Sequence, residues 1–193
     1  MDSLARGAER FQPTAVSSLD AAPGALWVTI TFAAMLGLNR AFLIERERRA
    51  IDGILLTPTP PEALYVGKLL ANLAFVGAIE AIALPLFVLF YDVPIAHALP
   101  ALAGVIAMAT VAFVAVGTLL SAMVVKTRFA ELMLPVLLLP FLVPPIVGGV
   151  QLTAHLLNGR PLSESLAWFK LLAAFDVVFL TLCVLLFEVI VDE

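Results

Sequence analysis

An all-α polytopic membrane helix bundle, with about five transmembrane helices and one short amphipathic helix on the cytoplasmic side, is the fold this sequence predicts. Three observations carry it. Hydrophobic residues make up 62% of the 193 and charged residues only 13%, whereas a soluble domain is roughly 45–50% apolar. Apolar stretches of about 18 residues or more recur, each long enough at ~1.5 Å per residue to cross a hydrocarbon layer of ~30 Å. The period-2 alternation of an outer-membrane barrel is absent, and a lone strand would leave its backbone groups unpaired in lipid, so each span is read as a helix.

Residues 1–25 are polar and mixed in charge, without the basic start and apolar core of a secretory signal, and are read as an outward-facing tail. Residues 26–193 form the transmembrane domain. Its first span is Leu26 to Ile44, where Arg40 follows Asn39 and snorkels to the membrane surface. Leu69 to Tyr91, Leu99 to Val125, Leu132 to His155 and Trp168 to Ile190 are the other four. Arg40, Arg46, Arg48, Arg49, Lys68, Lys126 and Arg128 gather on one side, against Arg6, Arg10, Arg160 and Lys170 on the other. The positive-inside rule then places the Glu45 to Lys68 loop and the carboxyl terminus in the cytoplasm. That topology translocates a tail with two arginines ahead of any span, a difficulty that a preceding span would remove. The net charge of −4 gives no general attraction to nucleic acid. Cys183, the single cysteine, has no intrachain disulfide partner and reads as a small buried residue.

Charge and proline concentrate in ERERRAIDGILLTPTPPEALYVGK, Glu45 to Lys68. Ile44, Ile51, Ile54 and Leu55 can share one helix face, with Arg48, Arg49 and Asp52 mostly off it, which predicts a short surface helix that Gly53 weakens and the prolines end. Thr59, Pro60 and Glu62 have the spacing of a cap, first position and third position of a new helix. The surface helix reads either as an interfacial anchor on anionic lipid or as a docking element for a cytoplasmic protein. Glu80 and Asp176 fall at membrane depth, where an ionised side chain facing lipid costs several kcal/mol, so both are expected to face the bundle interior. They serve there either in interhelical hydrogen bonding or as a polar lining. Pro135, Pro140, Pro144, Pro145, Gly148 and Gly149 are dense enough to kink or break the fourth span, as a path-lining helix or as a packing device. His97 and His155 read as interfacial polar residues rather than haem ligands, so no cofactor is expected on this chain. The G-x-x-x-x-G-K-[ST] loop is missing, with Glu62 where its leading glycine would stand and Leu69 after Lys68, and no H-E-x-x-H or G-x-S-x-G pattern occurs. Intrinsic ATP binding and enzyme activity are therefore not expected.

The run GALWVTITFAAMLGLNRAFLIERERRAIDGILLTPTPPEALYVGKLLANL resembles the CcmB family, the haem exporter protein B permease subunits of bacterial cytochrome c maturation. Matching features are Trp27, Phe42 followed by Glu45, the Leu55, Leu56 and Pro58 run, and Gly67 with Lys68; similarity continues through VGTLLSAMVVKTR, LMLPVLLLPFLVP and AFDVVFL, over about residues 24 to 193. The resemblance implies an ABC-type permease of the bacterial inner membrane. Glu45, Arg46, Glu47, Arg48, Arg49, Asp52 and Gly53 would form its coupling helix for a CcmA-like ATPase subunit, where ATP is bound. A CcmC-like haem-handling subunit would be its membrane neighbour and haem its cargo, by export or by ATP-driven release of a haem chaperone. Family members carry a basic amino-terminal segment and a further helix ahead of the Trp27 span, so the chain is expected to lack the family's first transmembrane helix. Arg49 stands where the family's acidic-Gly motif has glycine. Two other classes stay open from the residues themselves: the permease of another exporter, for lipid, drug or polysaccharide, and a non-transporting scaffold.

Overall fold

A computed structural model describes residues 18–48, 60–91, 98–124, 129–160 and 162–191. Five long helices account for most of them: α1 Ser18–Arg48, α2 Pro61–Tyr91, α3 Leu99–Val124, α4 Ala130–Leu157 and α5 Leu166–Val191, with one 3₁₀ turn, Leu162–Ser165, leading into α5. Each contains a segment long and apolar enough to cross a membrane. No strand occurs among the described residues, and the expected all-α bundle is the fold observed.

The span limits differ from those expected mainly at two starts. Helix α1 begins at Ser18, inside the segment read as tail, and Ala22 is already buried in the core. Helix α2 begins at Pro61, eight residues before Leu69. The expected cap at Thr59 is corrected: Leu64 N–H bonds the Pro60 carbonyl at 3.2 Å, so Pro60 is the cap residue and Pro61 the first helical position. Proline suits that first position because its missing N–H would have no helical partner there. Glu62 is then the second residue of the helix, one short of the capping-box position. Thr59 itself lies outside the described residues.

Helix α4 carries the larger correction. Expected to be kinked or broken at Pro140, Pro144, Pro145, Gly148 and Gly149, it is not broken: it runs without interruption from Ala130 to Leu157 through all four of its prolines. Each proline deletes one donor, while an unwound segment would expose several backbone groups to hydrocarbon, so continuing the helix is the smaller loss. It ends instead at Gly159, whose φ of 66° is left-handed. Arg160 N–H bonds the His155 carbonyl and Gly159 N–H bonds the Leu156 carbonyl, which satisfies the terminal acceptors in a Schellman motif.

Helix α3 is the hub. It packs against the other four helices, and 56% of its span is buried, against 11% for α5. Residues Ala112 to Leu120 are buried without a gap, so no lipid-facing stripe interrupts them. Small residues allow the close approaches on which membrane helix packing relies. A Cβ on Gly117 would stand 2.6 Å from Leu38 of α1, and one on Gly37 would stand 2.9 Å from Phe75 of α2.

Candidate functional site

The residues proposed for ATPase coupling divide at Arg48. Glu45, Arg46, Glu47 and Arg48 form the last turn of α1, so they continue the first span and do not open a separate surface helix. No glycine or proline stands between Leu38 and Arg48, and the run is rich in good helix formers, so nothing local stops the helix. Arg49, Asp52 and Gly53, with the rest of the expected surface helix, lie outside the described residues.

That charged end belongs to a helix fixed firmly in the bundle. Trp27 is fully buried, its indole Nε1–H donates to Thr153 Oγ1 of α4 at 2.9 Å, and its ring meets Phe113 of α3 edge-on at 6.4 Å. Gly149, one turn before Thr153, makes room for it: an added Cβ would lie 2.3 Å from the indole ring. Gly149 is thus a socket for Trp27. Trp27 and Gly149 were visible in sequence, but their meeting, and Thr153, were not.

Between α2 and α3 lies a ladder of polar contacts. The Tyr65 hydroxyl donates to the Ala115 carbonyl at 3.0 Å, Asn72 Nδ2 donates to Thr118 Oγ1 at 3.0 Å, and Thr110 Oγ1 donates to Glu80 Oε1. Tyr65, Asn72 and Glu80 lie about two helical turns apart on one face of α2, along with buried Leu69 and Val76. Glu80 is 7% exposed and faces the interior, as its depth required. Tyr65 also meets α5, through the Phe187 ring at 5.3 Å. Cys183 is a buried free thiol, as read.

Asp176 is in a different condition. It belongs to the inward stripe of α5 with Leu172, Phe179 and Cys183, yet its buried Oδ1 has no hydrogen-bond partner in the structure, a state it shares with Thr31 Oγ1 and Asn39 Oδ1 of α1. Two contacts set the α4–α5 register. Phe141 meets Phe179 with ring centroids 5.6 Å apart, and a Cβ on Gly148 would lie 3.2 Å from Leu172. Seven residues forward on α4 correspond to seven back on antiparallel α5, so Asp176 falls level with Pro144 and Pro145. Pro145 is buried and continues the α4 stripe of Phe141, Gly148 and Leu152.

Of the two histidines, His97 lies outside the described residues. His155 sits in the last turn of α4 and hydrogen-bonds through Nδ1 to the buried Ser165 hydroxyl, which ties α4 to the 3₁₀ turn before α5. Among the described residues no three of His, Cys, Asp and Glu gather where they could hold a metal ion.

The CcmB protein family model matches residues 11–190, starting ahead of the Gly24 at which the resemblance was first legible. The chain is 30% identical over 152 residues to the haem exporter protein B of Pseudomonas aeruginosa, a match covering 79% of this chain and 68% of that one. It is 32% identical over 146 residues to that of Rhodobacter capsulatus, covering 76% and 66%. For the protein of the same name from Paracoccus denitrificans the identity is 32% over 130 residues, covering 67% and 59%. The chain thus spans about two thirds of the length of these curated relatives. No solved structure matches it.

Proposed function

The chain belongs to the CcmB family, and from that premise we propose that it is the membrane permease subunit of an ABC-type exporter for cytochrome c biogenesis in the bacterial inner membrane, with haem as cargo. The names of its relatives favour haem over lipid, drug or polysaccharide. ATP hydrolysis belongs to a CcmA-like partner docking on the cytoplasmic segment Glu45 to Gly53, and a CcmC-like subunit is the membrane neighbour. The carboxyl terminus lies on the same cytoplasmic side, by the distribution of Lys and Arg.

One observation supports the coupling role above the others: the charged residues Glu45 to Arg48 are continuous with a helix whose Trp27 is bonded into α4. A partner that displaces the charged end therefore acts on the bundle through one unbroken rod. For ATP to do work here, the bundle has two arrangements, and nucleotide-loaded partner binds one of them better.

Reversing Arg46, Arg48 and Arg49 to Glu, followed by affinity purification of the full chain from native membranes, tests the role. The expected result is loss of the ATPase subunit from the purified complex, with the chain still inserted. Unchanged co-purification overturns the docking site. Haem transport into vesicles carrying the purified complex then separates export from ATP-driven release of a haem chaperone.

A further inference from the structure

Two acceptors on the facing stripes of α4 and α5 are without the donor that would ordinarily serve them. One is the buried Asp176 Oδ1, unpartnered in the structure. The other is the backbone carbonyl of Phe141. In an α-helix it would accept from the N–H four residues on, and in a tighter turn from the N–H three residues on. Those positions are Pro145 and Pro144, and neither has an N–H. The next N–H, at Ile146, is the one that α-helical geometry aims at Leu142. Phe141 and Pro145 lie on the stripe of α4 that faces α5, and the register sets Asp176 level with Pro144 and Pro145, the turn toward which the Phe141 carbonyl points.

We propose that Asp176 is a proton-binding site whose bound hydrogen, donated from the carboxyl to the Phe141 carbonyl, joins α5 to α4 at membrane depth. A single hydrogen then satisfies both acceptors. An ionised Asp176 would leave two partial or full negative charges opposed in a medium where one unpaired charge already costs several kcal/mol.

The neighbouring groups agree. Helix α5 packs against α2, α3, α4 and the 3₁₀ turn. Helix α3 has no charged residue, and α4 has only Glu131 and His155, one near each end. Helix α2 brings Glu62 and Lys68 in its first turns and Glu80, which is bonded to Thr110 of α3. The turn brings Glu164, and α5 itself Lys170 and Glu188, all three exposed. No cation stands at the level of Asp176 on α3 or α4 to hold it ionised. Phe175 and Phe179, stacked at 4.1 Å, with Phe141 edge-on to Phe179, wall the position with rings. The inference is independent of the ATPase partner. It makes the α4–α5 contact depend on a proton, whichever cargo the protein carries.

Infrared difference spectroscopy of the full chain in lipid vesicles at neutral pH, wild type against Asp176→Asn, tests the proton directly. A carboxylic-acid C=O band in the wild type that is lost in the variant is the expected result. A carboxylate band in its place overturns the proposal, including the case in which a water bridges an ionised carboxylate to the carbonyl. Unfolding in mixed micelles gives a second arm that does not depend on one variant. Asp176→Asn, whose amide N–H can donate to the same carbonyl, is expected to keep the wild-type unfolding equilibrium within about threefold. Asp176→Val is expected to shift it by about 3- to 20-fold, the range of single hydrogen bonds between membrane helices. Pro145→Ala restores an N–H for the Phe141 carbonyl, so Asp176→Val in that background is expected to cost much less. Equal penalties in the two backgrounds mean no coupling between Asp176 and that carbonyl and overturn the assignment.

Discussion

Glu80 and Asp176 are both carboxyl groups at membrane depth, both on the inward face of a helix, and they are treated in opposite ways. At the α2–α3 interface Glu80 receives the Thr110 hydroxyl, and the Tyr65 and Asn72 bonds run beside it, so donors and acceptors are matched within the chain. At the α4–α5 interface Asp176 has an unpartnered Oδ1 and stands level with Pro144 and Pro145, which have no N–H to offer. Depth alone therefore does not decide what a buried carboxyl does. The facing helix does, according to whether it supplies a hydrogen. Matched interfaces resist sliding because any displacement exposes unpaired groups to hydrocarbon. An unmatched one takes its hydrogen from outside the chain and can give it back.

Three substitutions would break or sharpen that contrast. The largest effect is expected where closure is by shape: Gly149→Val drives methyl groups into the Trp27 ring and should cost about 3 kcal/mol, read from reversible unfolding in mixed micelles followed by circular dichroism. A stability within experimental error of wild type would mean that α1 and α4 are not held at this distance. Next, Thr110→Val keeps the shape but removes the donor to Glu80, giving Glu80 the condition of Asp176. The same measurement should register a loss of about 1–2 kcal/mol, because the carboxyl stays buried without its partner. No loss would show that Glu80 obtains its hydrogen elsewhere, and the contrast between the two interfaces would collapse. The smallest effect belongs to Tyr65→Phe, which deletes one bond to the Ala115 carbonyl and retains the ring contact with Phe187, for about 0.6 kcal/mol.

The spans and the inward direction of both carboxyls were legible in sequence, because a run of apolar residues and an acid at its middle have few arrangements in lipid. Helix starts were less so. Proline at the first position of α2 and the small apolar residues of Ala21 to Ala25 are as compatible with loop as with helix when read alone. The prolines of α4 misled for a related reason: their density measures lost donors, and whether the helix breaks depends on what its neighbours offer. Partners across the bundle were not legible. Thr110, Thr118 and Thr153 are ordinary polar residues in apolar spans until the packing brings them to Glu80, Asn72 and Trp27. One signal was available at α4, where Phe141, Pro145, Gly148 and Leu152 repeat at helical spacing and mark a single face.

The tight packing of Gly37 against Phe75 and of Leu38 against Gly117 gives α1 a fulcrum. Leu38 is ten residues from Arg48 and eleven from Trp27, arms of about 15 Å and 16.5 Å at 1.5 Å per residue. A beam with arms this equal neither magnifies nor dampens. Whatever sideways step is imposed at Arg48 returns at Trp27 with the same size and the opposite sense, and there it works against the socket at Gly149 and the bond to Thr153.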